Sequence, residues 1–475
     1  MIKFGTGGWR AIIGEEFTKA NIQILAKAMA DKMKAENVAE EGIVMGYDRR
    51  FLSRETVIWT TEVLAAEGIK TYFVCHSVPT PLVMNHVMKH GFSYGMMVTA
   101  SHNPSLYNGI KVFTKGGRDA DEVQTADIEK YIAQVDPASI QKMEYNEAVE
   151  KGLVVEFFPM NEYIDDIMDK IDMEAIKNAN KDTNLRVCFD PMHGVSGDAL
   201  STILISGRCY LKTINKEHDT LFGYKMPAPS EDRLVMLKSY VMDEGFDIGI
   251  ASDGDGDRLG VFDDKGRYIH ANDILVLLYY YLLKYKGWSG PVVRNIATTH
   301  RLDRIAEKYG QKCYEVPVGF KHISSKMTET GAIIGGESSG GLTVTGHING
   351  KDGVYAASLL VEMVAVTGKK LSELMKEIAE ECGTSYMEER DYSFSEKVKQ
   401  ELMKRLFEDK ELPDMGEYEV DHVSYMDGCK VYFKNGGWVI ARFSGTEPLI
   451  RIFCEMPTQA EAVHMCDVFK NHFAL

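Results

Sequence analysis

The sequence has no apolar run long enough to cross a bilayer. Its longest, Ile274 to Leu283, falls short of the about 20 residues that a spanning helix needs. Eight cysteines, at 75, 188, 209, 313, 382, 429, 454 and 466, form no CxxC pair. Most sit inside apolar stretches, the pattern of reduced, buried thiols rather than of a zinc site or a disulfide framework. Positive charge is in deficit. The 54 lysines and arginines face 70 aspartates and glutamates, a formal net charge of −16. That argues against a protein that coats nucleic acid, although a local basic pocket could still hold phosphate. The start, Met1 to Gly8, shows no apolar core of a secretory signal, and no internal repeat is visible. These absences predict a cytoplasmic protein with no membrane and no nucleic-acid partner.

What is present is an ordinary globular composition, 45% hydrophobic and 26% charged, over 475 residues. That length suits three or four domains. Strand and helix patterns alternate through the first three quarters of the chain. Ile43-Val44-Met45, Thr71 to Val74 and Tyr94 to Val98 read as strands, and Ser53 to Glu67 as a helix stopped by Gly68. This alternation predicts an α/β fold with much parallel pairing. A polar stretch beginning at Asp136 marks a first boundary near 152. Tyr163 to Ile176 reads as one helix, Leu185 to Phe189 as a strand, Ala271 to Lys284 and Val354 to Val366 as helices. From about 385 the grammar changes to strands at Glu417–Tyr425, Cys429–Lys434 and Gly437–Phe443, with a tight turn at Asn435-Gly436 and a closing helix, Gln459 to His472.

The most informative stretch is Asp253-Gly254-Asp255-Gly256-Asp257-Arg258, between two strand-like runs. Three carboxylates at alternate positions repel one another unless a cation sits among them, and a hard divalent ion such as Mg²⁺ suits them. An EF-hand loop also alternates aspartates, but its sixth and twelfth positions, here Arg258 and Asp264, should be Gly and Glu. Arg258 instead suggests a nearby anion such as phosphate. A solvated acidic turn is the bland alternative.

Other polar loops follow strands. Phe4 to Arg10 is glycine-rich and ends in an arginine. Thr99-Ala100-Ser101-His102-Asn103-Pro104 offers a serine at the end of a strand, where ligands of open α/β sheets collect. Asn108-Gly109-Ile110-Lys111 offers a lysine. Gly336-Glu337-Ser338-Ser339-Gly340-Gly341 pairs a carboxylate with hydroxyls, which suits the hydroxyls of a sugar. Arg442-Phe443-Ser444-Gly445-Thr446-Glu447-Pro448, with Arg451 beyond, suits a phosphate. Alone, the serine loop reads more readily as a polar turn and Lys111 as a solvated side chain. The loops beginning at Phe4 and Gly336 are evenly balanced with a turn, and the Arg442 loop is a good phosphate constellation.

Taken together and in this order, the loops resemble those of the α-D-phosphohexomutase family, the phosphoglucomutase and phosphomannomutase enzymes, from end to end. The resemblance implies three α/β domains around a central cleft plus a smaller C-terminal α+β domain. The expected spans are 1–152, 153–259, 260–380 and 381–475. It implies that Ser101 is a phosphoserine and that Asp253, Asp255 and Asp257, with the phosphate on Ser101, hold Mg²⁺. Arg10, His102, Lys111 and Arg258 would surround the reacting phosphate, with Lys111 ahead of His102 as proton carrier. Glu337, Ser339 and Lys321 would hold the sugar. Arg442, Ser444, Gly445, Thr446 and Arg451 would hold the phosphate that is not transferred. The implied reaction interconverts glucose 1-phosphate and glucose 6-phosphate through glucose 1,6-bisphosphate, which is also the expected activator. Phosphomannomutase, phosphoglucosamine mutase and a non-catalytic sugar-phosphate-binding protein are the alternatives. The implied partners are small-molecule sugar phosphates, and the chain would act as monomer or homodimer. Two departures stand out. Gly7 replaces an Asp or Ser of many relatives. Gly341 stands where phosphomannomutase-type and phosphoglucosamine mutases often carry His, which leans towards glucose.

Overall fold

The computed structural model describes residues 2–5, 7–181, 184–443 and 449–475. Four sheets follow one another along the chain. The first runs in the order Trp9–Ile12, Tyr107–Thr114, Tyr94–Val98, Ile43–Tyr47, Thr71–Val74, Val154–Phe157, with Arg118–Asp119 also pairing with Tyr107–Thr114. The four strands from Tyr94–Val98 to Val154–Phe157 pair in parallel, as the alternation with helices predicts. Ile43–Tyr47 and Tyr94–Val98 are buried at every residue, the signature of a strand covered on both faces. The sequence reading assigned no element to Asn108–Lys111. These residues lie on the long strand Tyr107–Thr114, antiparallel to Tyr94–Val98 with Lys111 opposite Met97 and Gly109 opposite Arg10. The serine loop is therefore the tip of a hairpin, and Lys111 returns beneath it.

The second sheet has the order Tyr268–Ile269, Leu259–Phe262, Ile248–Ser252, Arg186–Asp190, Tyr210–Thr213. The third has Cys313–Val316, Val292–Asn295, Ile334–Gly336, Leu342–Val344. The first sheet thus continues to Phe157, past residue 152, and the second to Ile269, past residue 259. The expected single helix at Tyr163–Ile176 is two, Met160–Met168 and Met173–Ala179. Asp172 interrupts it by accepting a hydrogen bond from the Ala175 N–H, an N-cap that restarts the helix. The fourth sheet is antiparallel, in the order Tyr386–Ser393, Leu449–Met456, Trp438–Phe443, Cys429–Phe433, Val420–Ser424, and the helix Gln459–Phe473 packs on it. Its tight turn falls at Asn435-Gly436, with Gly436 at φ +84°.

Two helices are buried on nearly every face and join the layers. Ala271–Lys284 buries Ile274 through Leu283 without a break, so the longest apolar run of the sequence is core. Gly353–Thr367 packs on the helices Met173–Ala179 and Gly197–Ser206, so the second and third domains share one core. Asp352 begins that helix. Its carboxylate accepts the Tyr355 N–H at 2.9 Å, the Tyr163 hydroxyl at 2.9 Å and pairs with His347 Nε2 at 2.7 Å. All are buried. Replacing Asp352 by Ala removes a cap worth about 1 kcal/mol and strands two buried partners at about 1–3 kcal/mol each. The expected outcome is a thermal unfolding midpoint several degrees lower, with Asp352→Asn losing less. An unchanged midpoint in D352A would show that this junction contributes nothing.

Candidate active site

The strand Tyr94–Val98 ends at Thr99, and the chain turns at once. Ser101 sits at φ +52°, a left-handed backbone that a non-glycine residue adopts at a cost of about 1–3 kcal/mol. A buried ion pair holds it there. The Arg50 guanidinium donates to the Ser101, Asn103, Pro104 and Tyr107 carbonyls, at 2.7, 2.7, 2.9 and 3.0 Å. Asp48, 3.3 Å from Arg50 Nε, accepts from the Thr99 hydroxyl at 2.6 Å, and Thr99 in turn accepts the Ser101 N–H at 2.8 Å. Sequence reasoning passed over Asp48 and Arg50. Their signal was present, since Asp48-Arg49-Arg50 follows the carboxyl end of a buried strand, where charge needs a reason.

The loop Asp253–Arg258 of the second domain meets this hairpin. The Ser101 hydroxyl donates to Asp253 Oδ2 at 3.0 Å and lies 3.3 Å from His102 Nδ1. Backbone contact is close: a Cβ on Gly254 would stand 2.7 Å from the Ser101 carbonyl oxygen. Gly256, at φ +74°, makes the turn. The Thr80 hydroxyl donates to Asp255 Oδ2 at 2.6 Å, and the Gly353 N–H donates to the Gly256 carbonyl at 3.1 Å. All three α/β domains therefore grip one loop.

Asp253, Asp255 and Asp257 are fully buried, and one carboxylate oxygen from each lies within 4.8 Å of the others. Asp253 Oδ1 accepts the Asp257 and Arg258 N–H groups. Lys111 Nζ bridges Asp255 and Asp257 at 2.7 and 2.8 Å, and Lys351 Nζ reaches Asp257 at 3.0 Å. Among the described residues, one oxygen of Asp255 and one of Asp257 have no hydrogen-bond partner, and both are buried. Two orphaned carboxylate oxygens beside a third carboxylate and a serine hydroxyl form an all-oxygen donor set that fits Mg²⁺.

Burial, then the charges of Asp255 and Asp257, push the Asp253 carboxyl well above its ordinary range. Burial would likewise raise Asp257, but Lys111, Lys351 and Arg258 hold it well below. Burial alone would lower Lys111, yet Asp255 and Asp257 raise it, so it stays an ammonium. Burial, Arg258 and Arg10 drive His102 far below the usual imidazole range, so it stays neutral. Arg10 donates to Asn103 Oδ1 at 2.7 Å, and its buried Nε has no partner among the described residues. At the first departure, a Cβ on Gly7 would stand 2.6 Å from the Arg10 guanidinium, the flexible end of that side chain, so a larger residue there would shift Arg10. The second has a sharper cause. A Cβ on Gly341 would meet Lys351 Cδ at 2.1 Å and Cγ at 2.7 Å, because the lysine stem crosses that glycine on its way to Asp257. Lys351 was missed by the sequence reading, which weighed Lys321 and His347 there. His347 is committed to Asp352.

The structure thus brings Arg10, Ser101, His102, Lys111, Asp253, Asp255, Asp257 and Arg258 into one contiguous cluster. Glu337 is set by the Gly319 N–H at 3.0 Å and accepts the Ser339 hydroxyl at 3.2 Å. Lys321 pairs with the exposed Glu122 of the first domain, a weak contact that ligand can replace. Arg442 and Arg451 are direct cross-strand partners in the fourth sheet. Like charges so placed repel unless an anion lies between them. Asp427 takes Arg442 Nε at 3.0 Å and the Val318 N–H of the third domain at 2.8 Å. Ser444, Gly445 and Thr446 lie outside the described residues.

Descriptions of the phosphoglucomutase/phosphomannomutase α/β/α domains I, II and III match residues 1–139, 161–266 and 270–382, and that of the C-terminal domain matches 396–472. A Thermococcus kodakarensis protein named phosphoglucomutase/phosphomannomutase is 31% identical over 464 residues, 97% of this chain and 95% of its own. A Methanopyrus kandleri protein named for phosphoglucosamine mutase is 29% identical over 470 residues, 98% and 96% of the two chains. A crystal structure named for a phosphomannomutase from Thermus thermophilus superposes with a TM-score of 0.85 at 26% identity, covering 100% of this chain and 99% of that one. With the serine hairpin, the aspartate loop and four domains in sequence, the chain belongs to the phosphoglucomutase/phosphomannomutase family and is a phosphohexomutase, an intramolecular phosphotransferase of the isomerase class.

Proposed function

We propose that this phosphohexomutase interconverts α-D-glucose 1-phosphate and glucose 6-phosphate through a phosphate carried on Ser101. The observation that carries the reading is the convergence of the Ser101 hydroxyl on three buried carboxylates, two of which keep an unpartnered oxygen. Asp253, Asp255 and Asp257 would hold Mg²⁺, which supplies charge neutralisation to the phosphoryl group in transit. The charge count supports joint occupancy. Lys111, Lys351, Arg258 and Arg10 already offset the carboxylates, and burial holds the Asp253 carboxyl towards its neutral form. A divalent cation and a phosphoserine of about two negative charges therefore enter as a neutral pair.

In the forward half-reaction the Ser101 Oγ–P bond breaks as a bond forms from phosphorus to the free sugar hydroxyl. That hydroxyl must lose its proton. His102 is neutral, with Nδ1 3.3 Å from Ser101 Oγ, whereas Lys111 keeps its proton. Lys111 is therefore the expected proton carrier: its ammonium gives a proton to the departing Ser101 oxygen and recovers one from the sugar hydroxyl, while His102, too weak a base for that step, stays a neutral neighbour of Ser101 Oγ. Arg10, tethered through Asn103, and Arg258 stabilise the equatorial oxygens. The second half-reaction runs the same step backwards on the other phosphate, after the bisphosphorylated sugar turns over, which is why glucose 1,6-bisphosphate should prime the enzyme. Glu337 and Ser339 hold sugar hydroxyls in either orientation, with Lys321 freed from Glu122. Arg442 and Arg451, with Ser444, Gly445 and Thr446, hold the idle phosphate.

The glucose preference rests on Gly341 and Lys351. No imidazole stands at 341, where the lysine stem takes that place instead, and the Glu337-Ser338-Ser339-Gly340-Gly341 form leans towards glucose. Phosphorus NMR with Mg²⁺, trace glucose 1,6-bisphosphate and, in parallel, glucose, mannose and glucosamine 1-phosphates should show the glucose compound converted fastest. A tenfold or greater preference for glucosamine, the activity for which the Methanopyrus relative is named, would refute it. Ser101→Ala should cut turnover by about 10³-fold or more with an unchanged circular dichroism spectrum; wild-type turnover would dismiss the phosphoserine. Enzyme freed of phosphate on Ser101 should also bind Mg²⁺ about tenfold or more weakly than the phosphorylated form, because the neutral pair is broken. Equal affinities by calorimetry would put the metal elsewhere.

A further inference from the structure

Well apart in sequence from the aspartate loop, the helix Thr80–His90 of the first domain carries two histidines four residues apart, His86 and His90, and so on one face. Their rings lie 4.1 Å apart, centroid to centroid. Opposite them stands Glu162, in the first turn of the helix Met160–Met168 of the second domain. His86 Nδ1 is 3.3 Å from one Glu162 oxygen, and His90 Nε2 is 2.9 Å from the other. One donor atom from each of the three residues falls within 4.8 Å of the others. Among the described residues this is the one such group besides the aspartate triad.

We propose that His86, His90 and Glu162 form a second metal site, which takes a borderline divalent transition ion such as Zn²⁺ and clamps the first domain to the second. The spacing suits the ion. Bonds of about 2.0–2.2 Å from zinc to imidazole nitrogen and carboxylate oxygen, at angles of 90–109°, put neighbouring donors about 2.9–3.4 Å apart. Each histidine meets its own Glu162 oxygen, at 3.3 and 2.9 Å, in or at the edge of that interval, so a carboxylate that binds through both oxygens keeps these contacts. Two imidazoles with one carboxylate is a zinc donor set that leaves a position for water. It is a poor set for Mg²⁺, which prefers oxygen alone, so the two sites sort different ions.

The donors are also held in place before any ion arrives. The His86 ring packs between Phe92 and Phe157, at 6.0 and 4.7 Å. One row along the same interface, Asn85 and Lys89 bind Asp166 at 2.8 and 2.9 Å. Asp166 lies one helical turn beyond Glu162, so these contacts fix the two helices face to face and point Glu162 at the histidines. His90 is the last residue of its helix, where the helix dipole favours a cation. Its side chain is 46% exposed, which gives an ion a route in and makes substitution tolerable.

Calorimetric titration of the full-length enzyme with Zn²⁺, in excess Mg²⁺ to keep the aspartate loop occupied, tests this. The expected result is one Zn²⁺ equivalent per chain, weakened about tenfold or more in His90→Ala and in Glu162→Gln. An unfolding midpoint that rises with the logarithm of the Zn²⁺ concentration in the wild type should stay flat in H90A. Co²⁺ in place of Zn²⁺ should give visible absorption bands that H90A lacks. No zinc uptake by the wild type, or uptake that both variants keep in full, as binding to cysteines would, overturns the proposal.

Discussion

Three carboxylates buried within a few ångströms of one another cannot stand unassisted, and most of the molecule is arranged around that fact. At such separations in a site shielded from water, each pair of like charges costs several kcal/mol. The chain answers from every side. Lys111 returns on the second strand of the serine hairpin, Lys351 arrives from the third domain, and Thr80 donates from the start of a first-domain helix. The loop itself leaves no freedom, since Gly254 and Gly194 pack backbone on backbone where a Cβ would clash. The enzyme spends folding energy to keep an uncomfortable site, and on the proposed function that discomfort would give a cation and a phosphate their hold.

The fourth domain solves a different problem with the same logic. Its arginine pair faces across one strand boundary, while a buried seam fixes the sheet to the third domain. Glu455 accepts from the Thr299 hydroxyl, the His300 N–H and the Trp438 indole, each at 2.8 Å. Lys430 donates to the Ile296 carbonyl at 2.7 Å and pairs with Glu315 at 2.8 Å. The arginine pair thus sits on two inner strands of a sheet fixed to the third domain.

The sequence made the chemistry legible sooner than the geometry. Asp253, Asp255 and Asp257 alternate with glycine in a way that few uses but a metal explain, and the structure buries all three. The strands at Ile43 and Tyr94 and the tight turn at Asn435-Gly436 were readable because burial and backbone requirements act locally. What escaped were elements defined by partners far along the chain. Tyr107–Thr114 carries glycine, lysine and asparagine and becomes a strand only because it pairs on both sides. Tyr386–Ser393 is a run of charged residues whose strand character comes from eight cross-strand partners in Leu449–Met456. Asp48 and Arg50 were hard to assign for the same reason, since their task is to hold a loop far along the chain. Lys351 looked like any solvated lysine until Gly341 was seen beneath it.

That crossing of lysine over glycine ties two positions together. A side chain at 341 would have to displace the Lys351 stem, and with it the ammonium that reaches Asp257. Positions 341 and 351 should therefore be exchanged together when mutases of different sugar preference are recombined.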